Sequence, residues 1–171
     1  MVAGRLALVG LVALLLQLTV ISPITVAGAR PDVVLLFAIV VSMETDPERG
    51  AVAGFALGLA FDLLLDTPAG LTALTLTLVG WGVGTAKDAV LRSSRVISLA
   101  LVAVASMAGT LLYAGLAVVF GVTIEAGDLP AIVGLVAVVN ALLSQPLRWV
   151  VRRSLGPERR SPSRDRSVFR P

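Results

Sequence analysis

The sequence predicts an all-α integral membrane protein of six transmembrane helices, and three observations carry that prediction. The composition is 57% hydrophobic and only 15% charged, with a mean hydropathy of +0.95. A soluble domain is usually about 45–50% apolar and about 25% charged. Apolar runs close to spanning length are separated by short polar turns. The basic residues crowd onto alternate connections, as the positive-inside rule requires of a polytopic chain. A chain this apolar cannot hide its surface from water, so lipid is its solvent. With 171 residues, one domain is expected.

A spanning helix needs about 20 mostly apolar residues. The first run extends from about Arg5 to Ile21, is interrupted by Gln17, and ends near Ser22-Pro23. Its basic start and apolar body also resemble a signal peptide, but the run is long for one and it is read as a retained helix. The second follows Arg30-Pro31-Asp32 and covers Val33 to Met43, which is short for a span. Glu44 to Gly50 is a polar break with turn chemistry. The third run is Ala51 to Leu65, closed by the turn Asp66-Thr67-Pro68-Ala69-Gly70. The fourth is Leu71 to Ala86, followed by a charged connection from Lys87 to Arg95. The fifth, Val96 to about Val122, is the longest. The sixth opens near Pro130 and runs from Ala131 to about Val151. Residues 1–153 are therefore expected to form a six-helix transmembrane domain. Residues 154–171, polar, basic and proline-bearing, are expected to form a disordered cytoplasmic tail.

Six spans place both termini on one side. That side then holds Arg5, Arg49, Lys87, Arg92, Arg95 and every basic residue from Arg148 onward, thirteen in all, against Arg30 alone on the other. The rule puts the thirteen in the cytoplasm, with both termini. A re-entrant hairpin of the short second and third segments would leave four full spans with the same sidedness.

Chemistry is limited by what is missing from the sequence. There is no cysteine and no histidine, so disulfides, thiol catalysis, the commonest metal ligand and the commonest general base are absent. No Walker motif and no nucleophile-elbow motif occurs. No cofactor, metal site or catalytic residue is expected, and the chain is read as non-enzymatic.

Several polar or small residues stand out within the apolar runs. Gly54 and Gly58 form a GxxxG step on the third helix, and Gly80 and Gly84 another on the fourth; small residues at this spacing let helices approach closely in lipid. Either these helices pack on each other or one face docks a partner helix. Asp62 is the one acid inside an apolar segment. An intramembrane carboxylate is a functional hypothesis by default. With no second charge deep in another span, it is expected to reach the interface or to accept hydrogen bonds from a neighbouring helix end. Asp66 with Thr67 reads as the N-cap of the fourth helix. Arg30-Pro31-Asp32 suits a helix start; alternatively, Arg30 meets an acidic partner. Asn140, Ser144 and Gln145, followed by Pro146, predict a kinked, interior-facing helix end, with Gln17 as a candidate partner. The arginines from Arg148 onward are read as a cytoplasmic anchor for anionic lipid headgroups, each worth about 1 kcal/mol near the surface. No folded module presents them to nucleic acid.

The segment from Arg30 to Gly84 resembles the rod-shape-determining MreD family. The residues that carry the resemblance are Arg30, Pro31 and Asp32 at the start of the second helix, Gly50 after the break, the Gly54, Gly58, Asp62 series, and Pro68 with Gly70 in the turn. The same residues are the candidates for helix packing or partner contact. The resemblance covers the whole membrane part and excludes the tail after Gly156. It implies a non-enzymatic subunit of the bacterial elongation machinery. Such a subunit associates with MreC, acts with RodA and its penicillin-binding partner in lateral peptidoglycan synthesis, and maintains cell shape. It also implies a fold similar to the substrate-binding subunits of energy-coupling-factor transporters. A competing reading is such a transporter subunit itself, binding a small molecule between its helices. Aromatic residues make up only 5% of the chain and polar side chains are sparse, which disfavours a tight polar-ligand site. A lipid-modifying enzyme would depend on Asp62 or Asp66. The outer helix ends and the glycine-rich faces are expected to make the partner contacts.

Overall fold

The computed structural model describes residues 2–21, 31–65, 68–90, 95–122 and 129–156. Among these residues every regular element is helical. The elements are α1 (Val2–Leu16), continued by a wider π turn over Gln17–Ile21, α2 (Val33–Glu44), α3 (Pro47–Leu64), α4 (Leu71–Val90), α5 (Arg95–Val119) and α6 (Leu129–Leu155). The six expected helices are present. Two of them, over Val96–Val119 and Leu129–Leu155, are long and apolar enough to cross a membrane, with hydropathies of 2.1 and 1.7.

The architecture is organised around α2. Its sequence, VVLLFAIVVSME, is apolar on every side, and a helix of that kind belongs in a core. Every residue from Val33 to Met43 is buried, and α2 packs against all five other helices. The outer faces are apolar too. Leu8, Phe55, Leu63, Trp81, Val104, Leu111, Leu142 and Trp149 are among many large hydrophobic side chains left exposed. Exposed apolar surface on this scale is a surface for lipid.

α3 and α4 form a close hairpin because their glycines face each other. A Cβ on Gly54 would lie 2.5 Å from the Leu76 carbonyl oxygen, and one on Gly58 would lie 2.6 Å from Ala73 Cα. From the other side, Gly80 faces the Gly50 carbonyl and Gly84 faces Pro47. Both GxxxG steps therefore lie in one contact between neighbouring helices. The glycine faces expected to meet a partner are covered by the chain's own packing.

Helix ends differ from expectation where turn residues are absorbed into helices. Most of the polar break at 44–50 is helical: Glu44 closes α2, and Pro47 to Gly50 form the first turn of α3, with Pro at the start where a missing N–H is harmless. Only Thr45 and Asp46 connect the two helices. α6 reaches Leu155, two residues past the expected domain boundary at 153. Its C-terminal turn therefore carries Arg152 and Arg153.

Gly58→Ala should lower unfolding stability in detergent by about 1–3 kcal/mol, the usual cost of overpacking, because its new methyl would meet α4 backbone. Gly82→Ala has no heavy atom within 4 Å of the added methyl and should be neutral or slightly stabilising. Equal thermal unfolding of the two variants would contradict this packing.

Candidate functional site

The polar residues gather at the two ends of the bundle. At one end lie the π turn after α1, the start of α2, the end of α3 and the start of α4. Asp32 caps α2: its Oδ1 accepts from Leu35 N–H at 2.8 Å. Gln17 reaches the same helix start from α1. Its Nε2 donates to the Pro31 carbonyl at 3.1 Å, and its Oε1 accepts from Val33 N–H at 2.8 Å. The first N–H groups of a helix have no partner within it, so a buried start needs such acceptors.

Gln17 was expected to pair with Asn140, Ser144 or Gln145, and it does not. The chain reversal between α1 and α2 brings it to the start of α2 instead. Pro31 precedes the cap rather than opening the helix. Arg30, the third residue of that motif, lies outside the described residues.

Asp62 does for α4 what Asp32 does for α2, but from another helix. It is 2% exposed. Its Oδ2 accepts from Gly70 N–H at 3.0 Å, Thr72 N–H at 3.0 Å and Ala73 N–H at 3.1 Å. Of the two expectations for Asp62, the bonds to a neighbouring helix end describe its geometry. Charge-assisted bonds to several amides are among the stronger hydrogen bonds in proteins. Gly70 sits at φ +96°, a backbone conformation that side chains disfavour, and this turn directs its N–H to the carboxylate. The Pro68 carbonyl accepts from Leu71 N–H at 3.2 Å and tightens the same turn. Asp66 and Thr67, read as the cap of this helix, lie outside the described residues.

Thus Asp32, Gly54, Gly58, Asp62, Pro68 and Gly70 fall into two devices. Asp32 caps the central helix, and the others close the α3–α4 hairpin. Tyr113 on α5 lies within electrostatic reach of both carboxylates.

At the opposite end, Glu44 closes α2 and is 12% exposed at its side chain. Its Oε1 accepts from Arg148 Nε at 2.9 Å and its Oε2 from Arg152 Nε at 2.8 Å. Arg148 is itself only 11% exposed, whereas Arg152 is 62% exposed. Lys87 Nζ donates to the Thr45 carbonyl, just past the end of α2. Arg153 stacks over the Trp149 ring, 4.4 Å from its centroid. The basic run from Arg148 is therefore not purely a lipid anchor, since its first two members bind Glu44. Spacing gave a partial signal: Arg148 and Arg152 are four apart on one helix face. Nothing in the sequence paired them with Glu44.

Asn140 and Ser144 are fully buried, as an interior-facing α6 requires, but Gln145 is exposed. Asn140 Nδ2 donates to Ser106 Oγ on α5 at 3.1 Å. Ser144 Oγ donates to the Ala141 carbonyl at 2.6 Å.

No group of three or more potential metal ligands occurs among the described residues. The two ends can close helices and fix charge. Among the described residues they show no arrangement of nucleophile and base.

A helical bundle with an apolar exterior, a fully buried central helix and polar closures at both ends defines a membrane-embedded class of protein. The family model described as rod shape-determining protein MreD matches residues 4–151. The chain belongs to that family, whose members are bacterial membrane proteins with a role in rod-shape determination. Neither the curated proteins nor the solved structures yield a match.

Asp62→Ala should lower unfolding stability by about 0.5–2 kcal/mol, the range for a lost helix cap, and Asp62→Asn by less, because an amide oxygen still accepts. Glu44→Ala should cost up to about 3–5 kcal/mol, since it strands the nearly buried Arg148. Thermal unfolding in detergent checks all three variants. Unchanged stability in Asp62→Ala would remove its capping role.

Proposed function

We propose that this protein is a non-enzymatic scaffold subunit of the bacterial elongation complex. It associates with MreC and acts alongside RodA and its penicillin-binding partner in lateral peptidoglycan synthesis. The observation that supports this most is the family match over residues 4–151, nearly the whole of the helical body. Two further observations agree with it. The whole chain lacks cysteine and histidine. The polar groups within the bundle bind helix ends and one another, which suits a rigid body that positions partners. Because the glycine faces are occupied internally, we place the partner contacts on the exposed faces and ends of the helices.

In this reading the six helices all span the inner membrane, with both termini in the cytoplasm. The clustering of Lys87, Arg148, Arg152 and Arg153 at one end supports that sidedness. The basic tail adds attraction to anionic lipid. The likeness to substrate-binding subunits of energy-coupling-factor transporters rests on the family alone.

Gentle detergent purification of the tagged protein from its host, followed by mass spectrometry, tests the function. Co-purification of MreC with the wall-synthesis enzymes is the expected result. Recovery of an ATPase pair and a retained small molecule would replace this reading with a transporter subunit. A chain without native cysteine also permits clean single-cysteine labelling. Ala69→Cys should react with an impermeant maleimide from outside intact cells, and Glu48→Cys should not; the reverse pattern would invert the topology.

A further inference from the structure

Among the described side chains, the Glu44 end of the bundle holds more positive charge than its acids balance. Around the α2–α3 connection and the last turns of α6, the described side chains include Arg49, Lys87, Arg148, Arg152 and Arg153, against Glu44, Asp46 and Glu48. Asp46 faces Arg49 at 3.9 Å, and both are well exposed. Glu44 is divided between two guanidinium groups, one oxygen to each. One carboxylate therefore serves Arg148 and Arg152 together. Arg152 has its Nε held by Glu44 while its side chain stays 62% exposed. That makes it a cation with a fixed base and an accessible head, which has lost part of its flexibility before any ligand arrives.

The surroundings match a membrane interface. Trp149 is 59% exposed one helical turn before Arg153, whose guanidinium covers one face of its ring. Tryptophan and arginine side by side at a helix end are interfacial anchors, apolar in body and polar at the tip. Toward the middle of the same helix, Val138 and Leu142 are exposed, so apolar surface for acyl chains adjoins the cationic turn.

We propose that the last turns of α6, through Arg152, Arg153 and Trp149 and backed by the Arg148–Glu44 pair, bind the phosphate of an anionic phospholipid at a defined site. The site differs from the diffuse attraction of the arginine-rich tail, because Glu44 holds Arg152 and the Trp149 ring holds Arg153. It rests on the membrane placement proposed above, with this end of the bundle at the lipid–water interface.

The test uses the full chain with Trp81→Phe, which leaves Trp149 as the only tryptophan. The protein is reconstituted in phosphatidylcholine vesicles containing a small fraction of phosphatidylglycerol. Either lipid is brominated in turn to quench the nearby indole. Brominated phosphatidylglycerol should quench Trp149 as though enriched about fivefold over its bulk fraction, the factor one added cation supplies near a membrane surface. Arg152→Gln with Arg153→Gln should reduce the enrichment to about one. Replacing the five tail arginines Arg159, Arg160, Arg164, Arg166 and Arg170 with Gln should leave it in place.

Equal quenching by both lipids in the parent protein would overturn the site while leaving the membrane placement standing. Quenching by neither lipid would overturn both. Loss of enrichment on neutralising the tail alone would reassign it to diffuse attraction. Displacement of the lipid by millimolar inorganic phosphate would make this a free-phosphate site and overturn the lipid assignment.

Discussion

The rest of the structure depends on the burial of a short helix that is apolar on every side. α2 has 12 residues, about 18 Å at 1.5 Å per residue, against a hydrocarbon core about 30 Å thick. A helix leaves about four N–H groups and four carbonyls unpaired at its ends. In water these are solvated; inside an apolar bundle each one is costly. The neighbours of α2 supply what water would have supplied. Gln17 arrives from α1 at the N-terminal end, and Lys87 arrives from α4 at the Thr45 carbonyl. Arg148 and Arg152 reach from α6 to the carboxylate of its last residue. Three of the other five helices are thereby tied to the central one by polar bonds as well as by packing.

The α3–α4 hairpin solves a related problem differently. Its helices approach through glycine, so little room remains between the backbones for polar side chains along the seam. The start of α4 must then be capped from beyond the seam, and Asp62, one turn after Gly58 on α3, is placed to do it. The spacing Gly54, Gly58, Asp62 is one face of a helix read at four-residue steps. Two members make the close contact and the third closes the neighbouring helix. An acid in an apolar segment usually points to transport or catalysis, but here three backbone N–H groups already surround one of its oxygens. Those bonds fix the carboxylate at the start of α4.

The sequence was most informative where a single local rule governs. Apolar run length gave six helices, and the residues of α2 to α4 fell within a few positions of expectation. The family was legible from the glycine, proline and acidic steps between Arg30 and Gly84. Pairings were legible only in part. Gln17 was recognisable as a polar group in need of a partner, yet its true partners are backbone atoms at Pro31 and Val33. Backbone acceptors and donors exist at every position, so no residue type marks them. The Glu44 pairing with Arg148 and Arg152 spans more than a hundred residues, and side-chain identity alone does not choose among several acids and many arginines. Gln145 was drawn inward by its proximity to Asn140 and Ser144, but a helix turns about 100° per residue, and one step beyond Ser144 is enough to leave the buried face.

The two ends of the bundle are closed with different chemistry, and the difference has a physical reason. At the Asp32 and Asp62 end, carboxylates accept from backbone N–H groups at helix starts, where the helix dipole is positive. Negative charge there meets the positive ends of the helices. At the Glu44 end the helices α2, α4 and α6 finish, their dipoles present negative partial charge, and lysine and arginine gather there. The side chains that satisfy helix ends therefore differ: carboxylates accept at helix starts at one end, and at the other lysine and arginine meet the end of α2. The positive-inside bias follows the same line: basic residues favoured at these helix ends also resist translocation across the membrane. In this protein, helix closure and membrane orientation call for the same residues at the same end.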